Sequence, residues 1–346
     1  MTTMTHTVDA PSVVRFSWHR PLSWLSFGMM ALVAIALVGL VIDPRTITGM
    51  PLWAKPLKFS FSVLIYSVTL TWLLGQVPRA RRLAWWAGTV IAVFLAVEII
   101  AIYGAAIADT TSHFNVATPF SAAIWSTMAV SIVIVWATTI LVAVLLFRAD
   151  LGDPARSFAI RSGLIIAVIG MGLAFLMTSP TVAQLSNFQG IAGAHTVGLS
   201  DGGPGLPLLG WSTVTGDLRI PHFVGMHAMQ VIPLVALLIE LLGRRLPALR
   251  DVRARLGILV VLAGLYLGVM AVLTVQALSG ESIVHPDATT STVSFALFAA
   301  AAVGIVVIVG RARTGRRFLG SDDGAIVPAV RKGNLPFDGK SPSIRS

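Results

Sequence analysis

Histidine, methionine, lysine and acid side chains supply the chemistry this chain could do, and they are unevenly placed. Of seven histidines, His6 and His19 precede the first long apolar run. The other five, His113, His195, His222, His227 and His285, fall in or beside the connections that carry few arginines. Imidazole is the commonest metal and haem ligand and a natural proton carrier, although it also suits any polar membrane boundary. The densest segment is Ile220-Pro-His-Phe-Val-Gly-Met-His-Ala-Met-Gln230. His222 and His227 are about 140° apart around a regular helix, so they share one ion only if Gly225 breaks the turn. His222 shares a face with Met226, and His227 with Gln230. A histidine–methionine pair suits haem iron or copper, whereas the commoner fate of methionine is packing. Haem would take two axial ligands from different helices, His222 or His227 with His285 or His113. Copper or zinc would need three or four, drawing also on Met226, His195 or Asp201.

The charged residues add a second theme. Glu98 sits within an apolar run, about two turns below its end at Ala106. An acid at that depth costs several kcal/mol unless it is paired or lines a cavity. Asp109, Asp201, Asp217 and Asp287 lie in connections, where solvation explains each of them. Glu240 precedes Arg244 by four residues and reads as a helix-end pair. Lys55 and Lys58 stand on the arginine-poor side, with Lys58 in the first turn of its helix, where the dipole disfavours a cation. An anion should compensate Lys58, and Glu98, a lipid headgroup or a substrate carboxylate are the candidates.

These groups must be positioned by membrane helices. The 346 residues are 55% apolar and only 12% charged, which excludes a soluble enzyme or a nucleic-acid-binding domain. The reading is an all-α integral membrane protein with spans at 23–42, 57–76, 83–106, 120–147, 159–178, 222–243, 256–278 and 291–310. Residues 1–22 form an amino-terminal segment, 23–310 the eight-helix membrane domain, and 311–346 a basic tail whose composition predicts disorder. Arg79, Arg81, Arg82, Arg148, Arg156, Arg161, Arg244, Arg245, Arg250, Arg253, Arg255, Arg311, Arg313, Arg316 and Arg317 occupy alternate connections. The positive-inside rule then puts both termini in the cytoplasm of a bacterial plasma (inner) membrane, and the histidines outside. The net charge of +10 therefore reports orientation rather than a nucleic-acid partner. Tryptophans 18, 24, 53, 72, 85, 86 and 211 fall near span ends, as an interfacial belt would.

One outer connection, 179–221, is far longer than ordinary loops and rich in Gly, Pro and Ser. Its core, Leu199-Ser-Asp-Gly-Gly-Pro-Gly-Leu-Pro-Leu-Leu-Gly-Trp211, is too apolar for a solvated loop and is expected to fold back over the helix ends. Cysteine is absent, so disulfides, thiolate metal sites and covalent c-type haem are ruled out. Zincin, P-loop and nucleophile-elbow motifs are missing too. One histidine precedes the fourth span, in His113-Phe-Asn-Val-Ala-Thr-Pro-Phe-Ser-Ala. Another precedes the eighth, in His285-Pro-Asp-Ala-Thr-Thr-Ser-Thr-Val-Ser-Phe-Ala. That echo would divide the bundle into two four-helix halves.

The segments Trp53-Ala-Lys-Pro-Leu-Lys-Phe-Ser60, Ser112-His-Phe-Asn115, Asp201-Gly-Gly-Pro-Gly-Leu-Pro207 and Pro221-His-Phe-Val-Gly-Met-His-Ala228 resemble those of a bacterial multi-pass membrane protein family without assigned activity. In layout alone, eight helices with outer-face histidines in both halves, the chain is also similar to haem A synthase, with Lys58 rather than a histidine at the outer end of the second span.

The leading expectation is a histidine-rich site at the outer face, built from His222, His227, His285 and His113 and binding haem or a transition metal for redox or sensing. The second is a small-solute transporter with Glu98 and Lys58 as its buried polar or proton path. An intramembrane metal-dependent enzyme and a structural or accessory subunit are the remaining readings. Lipid is the expected partner, with a small-molecule ligand at the outer face.

Overall fold

The computed structural model describes residues 18–321, mostly as helix. Residues 1–17 and 322–346, most of the amino-terminal segment and of the tail, lie outside the described residues. Helices α1 (Arg20–Ile42), α2 (Ala54–Leu74), α3 (Arg81–Ile107), α4 (Pro119–Phe147) and α9 (Val252–Leu278) are each long and apolar enough to cross a membrane, as are the stretch Pro154–Ser186 that opens with α5 (Pro154–Gly172) and the part Ala288–Thr314 of α10 (Ala288–Ser321). A short α6 (Val182–Ser186) lies in the long connection. The pair α7 (Arg219–Met226) and α8 (Ala228–Leu242) qualifies only together and is bent by 44°. The described residues thus hold seven membrane-length helices, or eight with the bent pair. Lipid offers no partner for backbone polar groups, so helices that satisfy them internally are the natural solution.

Local chemistry sets the helix ends. Thr118 accepts from Ser121 N–H ahead of Pro119, and Asp153 accepts from Ala155 and Arg156 N–H ahead of Pro154. The Asp153 cap starts α5 five residues before the expected 159, because polar first-turn residues lie outside the apolar run. His19, unremarkable in the sequence, is a buried cap that accepts from Leu22 N–H, with its Nε2 2.8 Å from Trp85 O. At the far end α10 continues to Ser321, so residues 311–321 of the expected disordered tail are helical. Arginine is a good helix former, and the α10 ladder has no proline to stop it. The Glu240 pairing is also different from expectation. α8 ends at Leu242, which puts Arg244 off the helical register, and Glu240 instead takes both its bonds from Arg156 of α5, at 2.9 and 3.0 Å.

The membrane-length elements pack as two groups. α1, α2, α3 and α4 touch one another, as do α5, α7, α8, α9 and α10, and the groups meet through α4–α5 and α2–α8. The connections divide the bundle into two ends. At one end, Arg156–Glu240 and Arg255–Asp153 pairs tie the arginine-bearing turns together. At the other, four connections merge into a cap. Asn115 bridges Ile191, Gly202 lies against Thr48, and Thr215 Oγ1 donates to Val197 O at 2.5 Å and to Gly280 O at 3.3 Å. Two small antiparallel ribbons stiffen this cap, β1 (Thr46–Ile47) with β2 (Met50–Pro51) and β3 (Thr196–Val197) with β4 (Gly216–Asp217). The long connection is therefore ordered and covers the helix ends.

Candidate functional site at the capped end

Two aspartates organise the cap. Asp201 accepts from the backbone N–H groups of His195 and Thr196, from the Thr196 hydroxyl, and from His195 Nδ1 at 2.5 Å. Burial pushes this carboxyl up, but the bonds from His195 and Thr196 outweigh it and hold the group below the usual carboxylate range. Asp217, 1% exposed, accepts from Ser212 N–H at 2.8 Å and from Arg219 through both its backbone and its guanidinium. Both loops are thereby fastened to the start of α7, since Leu218 N–H also donates to His195 O at 2.9 Å.

Beneath them lies a group of cations. Lys55 and Lys58 stand in the first turns of α2, one turn apart, and both are half-buried. Lys58 Nζ donates to the carbonyl of Leu209 at 2.6 Å, and Arg219 Nη2 to the neighbouring Gly210 carbonyl at 2.5 Å. These bonds pin the tight turn Leu206–Trp211, which needs positive φ at Leu208 and Gly210. Lys55 Nζ donates to His113 Nδ1 at 3.1 Å and lies over the Phe59 ring. Among the described residues neither lysine has a carboxylate within ion-pair distance, and Lys55 and Lys58 each feel the repulsion of Arg219.

The imidazoles are held in defined orientations. His113 accepts the Lys55 bond through Nδ1, which leaves its proton on Nε2. Burial, then the charges of Lys55 and His195, keep its pKa well below the ordinary histidine value. It packs among Phe59, Phe114 and Trp125. His195 gives its Nδ1 proton to Asp201, so its Nε2 lone pair is free, and burial lowers its pKa as well. His222 likewise donates from Nδ1 to Gly170 O at 2.8 Å, which frees its Nε2. His227 sits at the break between α7 and α8, with Nε2 3.1 Å from Ser62 Oγ.

The expected residues thus divide. His113, His195, Asp201, Lys58 and His222 belong to this one end, and His222 is within electrostatic range of His195 and His227. His285 does not join them: it is exposed in the α9–α10 connection, with no side-chain bond or ring contact to the other histidines among the described residues. Met226 closes α7, half-buried, on the turn where the chain passes Gly170. Among the described residues, no group of three or more His, Asp or Glu side chains is gathered as a metal would need. Glu98 is 2% exposed with Oε1 unpartnered, and it forms no ion pair with Lys58, whose ammonium is taken by the Leu209 carbonyl. Lys55 is the cation whose field reaches Glu98. Arg219 and Ser62 joined the site unforeseen, and Asp217, expected to be solvated, is instead buried because Ser212 and Arg219 take its carboxylate. Only the Lys58/Ser62 spacing of four on one helix face could have signalled Ser62.

No family model, curated protein or solved structure matches the chain. Neither resemblance noted from the sequence is therefore carried forward.

Proposed function

We propose that this integral membrane protein binds a small anionic molecule, bearing carboxylate or phosphate groups, under the cap at the outer face of a bacterial plasma membrane. One observation carries the reading: among the described residues, two half-buried lysines, a turn apart, have a neutral imidazole, an aromatic ring and a peptide carbonyl as partners and no carboxylate in ion-pair contact. Ammonium groups removed from water need compensation, and an anion docking between them would displace the Leu209 carbonyl and take charge-assisted bonds instead. The Leu206–Trp211 turn, hung on Lys58 and Arg219, would move with it. The outer placement rests on the arginines at the opposite end.

The test is the melting temperature of purified protein in zwitterionic nanodiscs against a panel of mono-, di- and tricarboxylates and phosphates. At least one soluble anion should stabilise the wild type and leave Lys58→Met unmoved. A response only to added anionic lipid would make a headgroup the occupant. No response to any of them would reject the reading.

A second reading, haem held for redox or sensing, is favoured by the free Nε2 atoms of His195 and His222. In each, Nδ1 is tied to an acceptor, the arrangement that orients imidazole ligands. Two axial ligands suffice for haem, and its propionates are carboxylates that the lysines could take. An absorption spectrum with metal analysis on purified protein separates the two readings.

A further inference from the structure

The exposed apolar surface of α5 does not stop where that helix stops. Ile165 and Ile169 are exposed on α5, and Phe175 and Leu176 on its short tighter-wound continuation, Leu173–Met177. Beyond a turn at residues 178–180 comes α6, whose Val182 and Leu185 are 84% and 74% exposed, with Phe188 just after it at 56%. The whole stretch Pro154–Ser186 is apolar enough to count as one membrane span. Charge does not interrupt it: from Arg161 to Asp201 the sequence holds no other Asp, Glu, Lys or Arg. A run of exposed apolar side chains marks a partner surface or a membrane.

One side chain holds α6 to the protein. Gln184 Oε1 accepts from the N–H groups of Thr181 and Gly193 at 2.9 and 3.0 Å, and its Nε2 donates to Gly193 O at 2.8 Å. Thr181 completes the capping box by accepting from Gln184 N–H at 3.2 Å. With Gln184 turned inward, Val182 and Leu185 are left on the outer side. The hydroxyls here are satisfied by the local backbone. Thr178 donates to Phe175 O, and Ser186 to Val182 O and Ala183 O, as suits a poorly hydrated setting. The exposed amides of Asn187 and Gln189 bond each other at 2.8 Å. Depth agrees: about 20 residues cross the hydrocarbon core, so a span that begins just past Arg156 ends near Met177. That puts α6 at the boundary between acyl chains and headgroups.

We propose that α6 is a membrane anchor for the cap, with Val182, Leu185 and Phe188 seated in the lipid leaflet at the capped end. The occupant is phospholipid because the patch is uncharged and continues the lipid-facing side of α5. The anchor bears on the site through the backbone. Gly190 O accepts from Val116 N–H at 2.8 Å, and Ala192 N–H donates to Phe114 O at 2.8 Å. The segment that leads from α6 to His195 is thereby paired with the loop that carries His113, and the leaflet becomes one support of the cap. The anchor stands whether or not an anion binds there.

The chain has no cysteine, so a fluorophore can be attached at one chosen position at a time. Val182→Cys, Leu185→Cys and Phe188→Cys, each carrying nitrobenzoxadiazole, are compared in phosphatidylcholine nanodiscs. Ile169→Cys on α5 serves as the lipid reference and Gly203→Cys, exposed in the cap, as the water reference. At two or more of the three positions, a phospholipid with a nitroxide near the top of its acyl chain should quench the label. Aqueous iodide should quench it several-fold less than at Gly203. Any other pattern overturns the anchor. Iodide quenching equal to that at Gly203 would put this face in water. Protection from both quenchers would mean that a second copy or another protein covers it. If the labelled variants fail to fold, the wild-type chain is irradiated with a phospholipid bearing a diazirine at the same depth. Adducts should then map to residues 182–188 as well as to α5, and adducts on α5 alone overturn the proposal.

Discussion

The Arg219 guanidinium grips the carboxylate of Asp217, two residues earlier, in bonds of 2.5, 2.9 and 3.2 Å, and the same Nη2 reaches the Gly210 carbonyl. The side chain of Asp217 is entirely buried, while that of Arg219 keeps 28% of its surface. This pair is thus a compensated charge beside Lys58, whose own acceptor is the adjacent carbonyl of Leu209. The contrast separates the charge pair that holds the cap together from the cations on which the proposed anion site rests.

Asp217→Asn should therefore loosen the cap. It leaves Arg219 and Lys58 without the anion that offsets them, and it weakens the bond from Ser212 N–H. Breaking a buried pair costs roughly 3–5 kcal/mol, and the partial exposure of Arg219 places this case at the low end. Adding Arg219→Gln should recover much of the loss. Thermal unfolding of the single and double variants measures this, and strict additivity would mean that the pair is not coupled.

Acid should loosen the cap for a different reason. His113 and His195 both have folded pKa values below the ordinary 6.5, chiefly through burial. In the unfolded chain they bind protons near 6.5, so their contribution to stability is present above that value and is lost as pH falls below it. Asp201, also depressed, adds a later loss as pH falls below the ordinary carboxylate value of 3.8. Melting temperature should decline between about pH 7 and pH 5 in the wild type and less steeply in His113→Asn. A profile unchanged by that substitution would show that His113 is not buried neutral.

The helices were legible in the sequence because lipid demands about 20 apolar residues, and little else satisfies that demand. Their ends were less so. The α5 start depended on the Asp153 cap, and the α10 extension on arginines that a hydropathy reading stops at. In the site, one-sided histidine placement showed which end to inspect. Which residues meet there did not follow from it, because the partners are remote: Lys58 and Leu209 are 151 residues apart, Arg156 and Glu240 84. Side-chain type marks a group as needing a partner. Only the folded loop supplies one.

The contact of α5 with α7 fixes His222 and should tolerate no added bulk. A Cβ on Gly170 would fall on the Gly225 backbone, and one on Gly225 would meet Gly170 Cα at 2.5 Å and Met270 Sδ at 2.6 Å. Since His222 Nδ1 donates to Gly170 O, separating the helices also releases that imidazole. Gly170→Ala and Gly225→Ala should each cost about 1–3 kcal/mol, as overpacking typically does. Gly28→Ala, where a Cβ meets nothing within 4 Å, should be neutral or mildly stabilising. Equal melting temperatures for all three would show that the crossing is looser than described.

The orientation on which an outer ligand site depends can be tested directly. Arginines 79, 81, 82, 148, 156, 161, 244, 245, 250, 253 and 255 all lie in or beside the connections at the end opposite the cap. Short basic connections are retained in the cytoplasm, whereas Arg45 and Arg219 at the capped end are each neutralised by a neighbouring aspartate. Reporter fusions after Arg82, Arg161 and Arg255 should accordingly report cytoplasm. Insertions at Gly203, exposed in the cap with no neighbour within 4 Å of an added Cβ, and near His285 should report the outside. The bent α7–α8 pair makes the Gly203 and Arg255 positions decisive together. If that pair dips in and returns instead of crossing, the two sites report the same side, the chain crosses seven times, and Lys58 and His285 cannot both face the outer compartment.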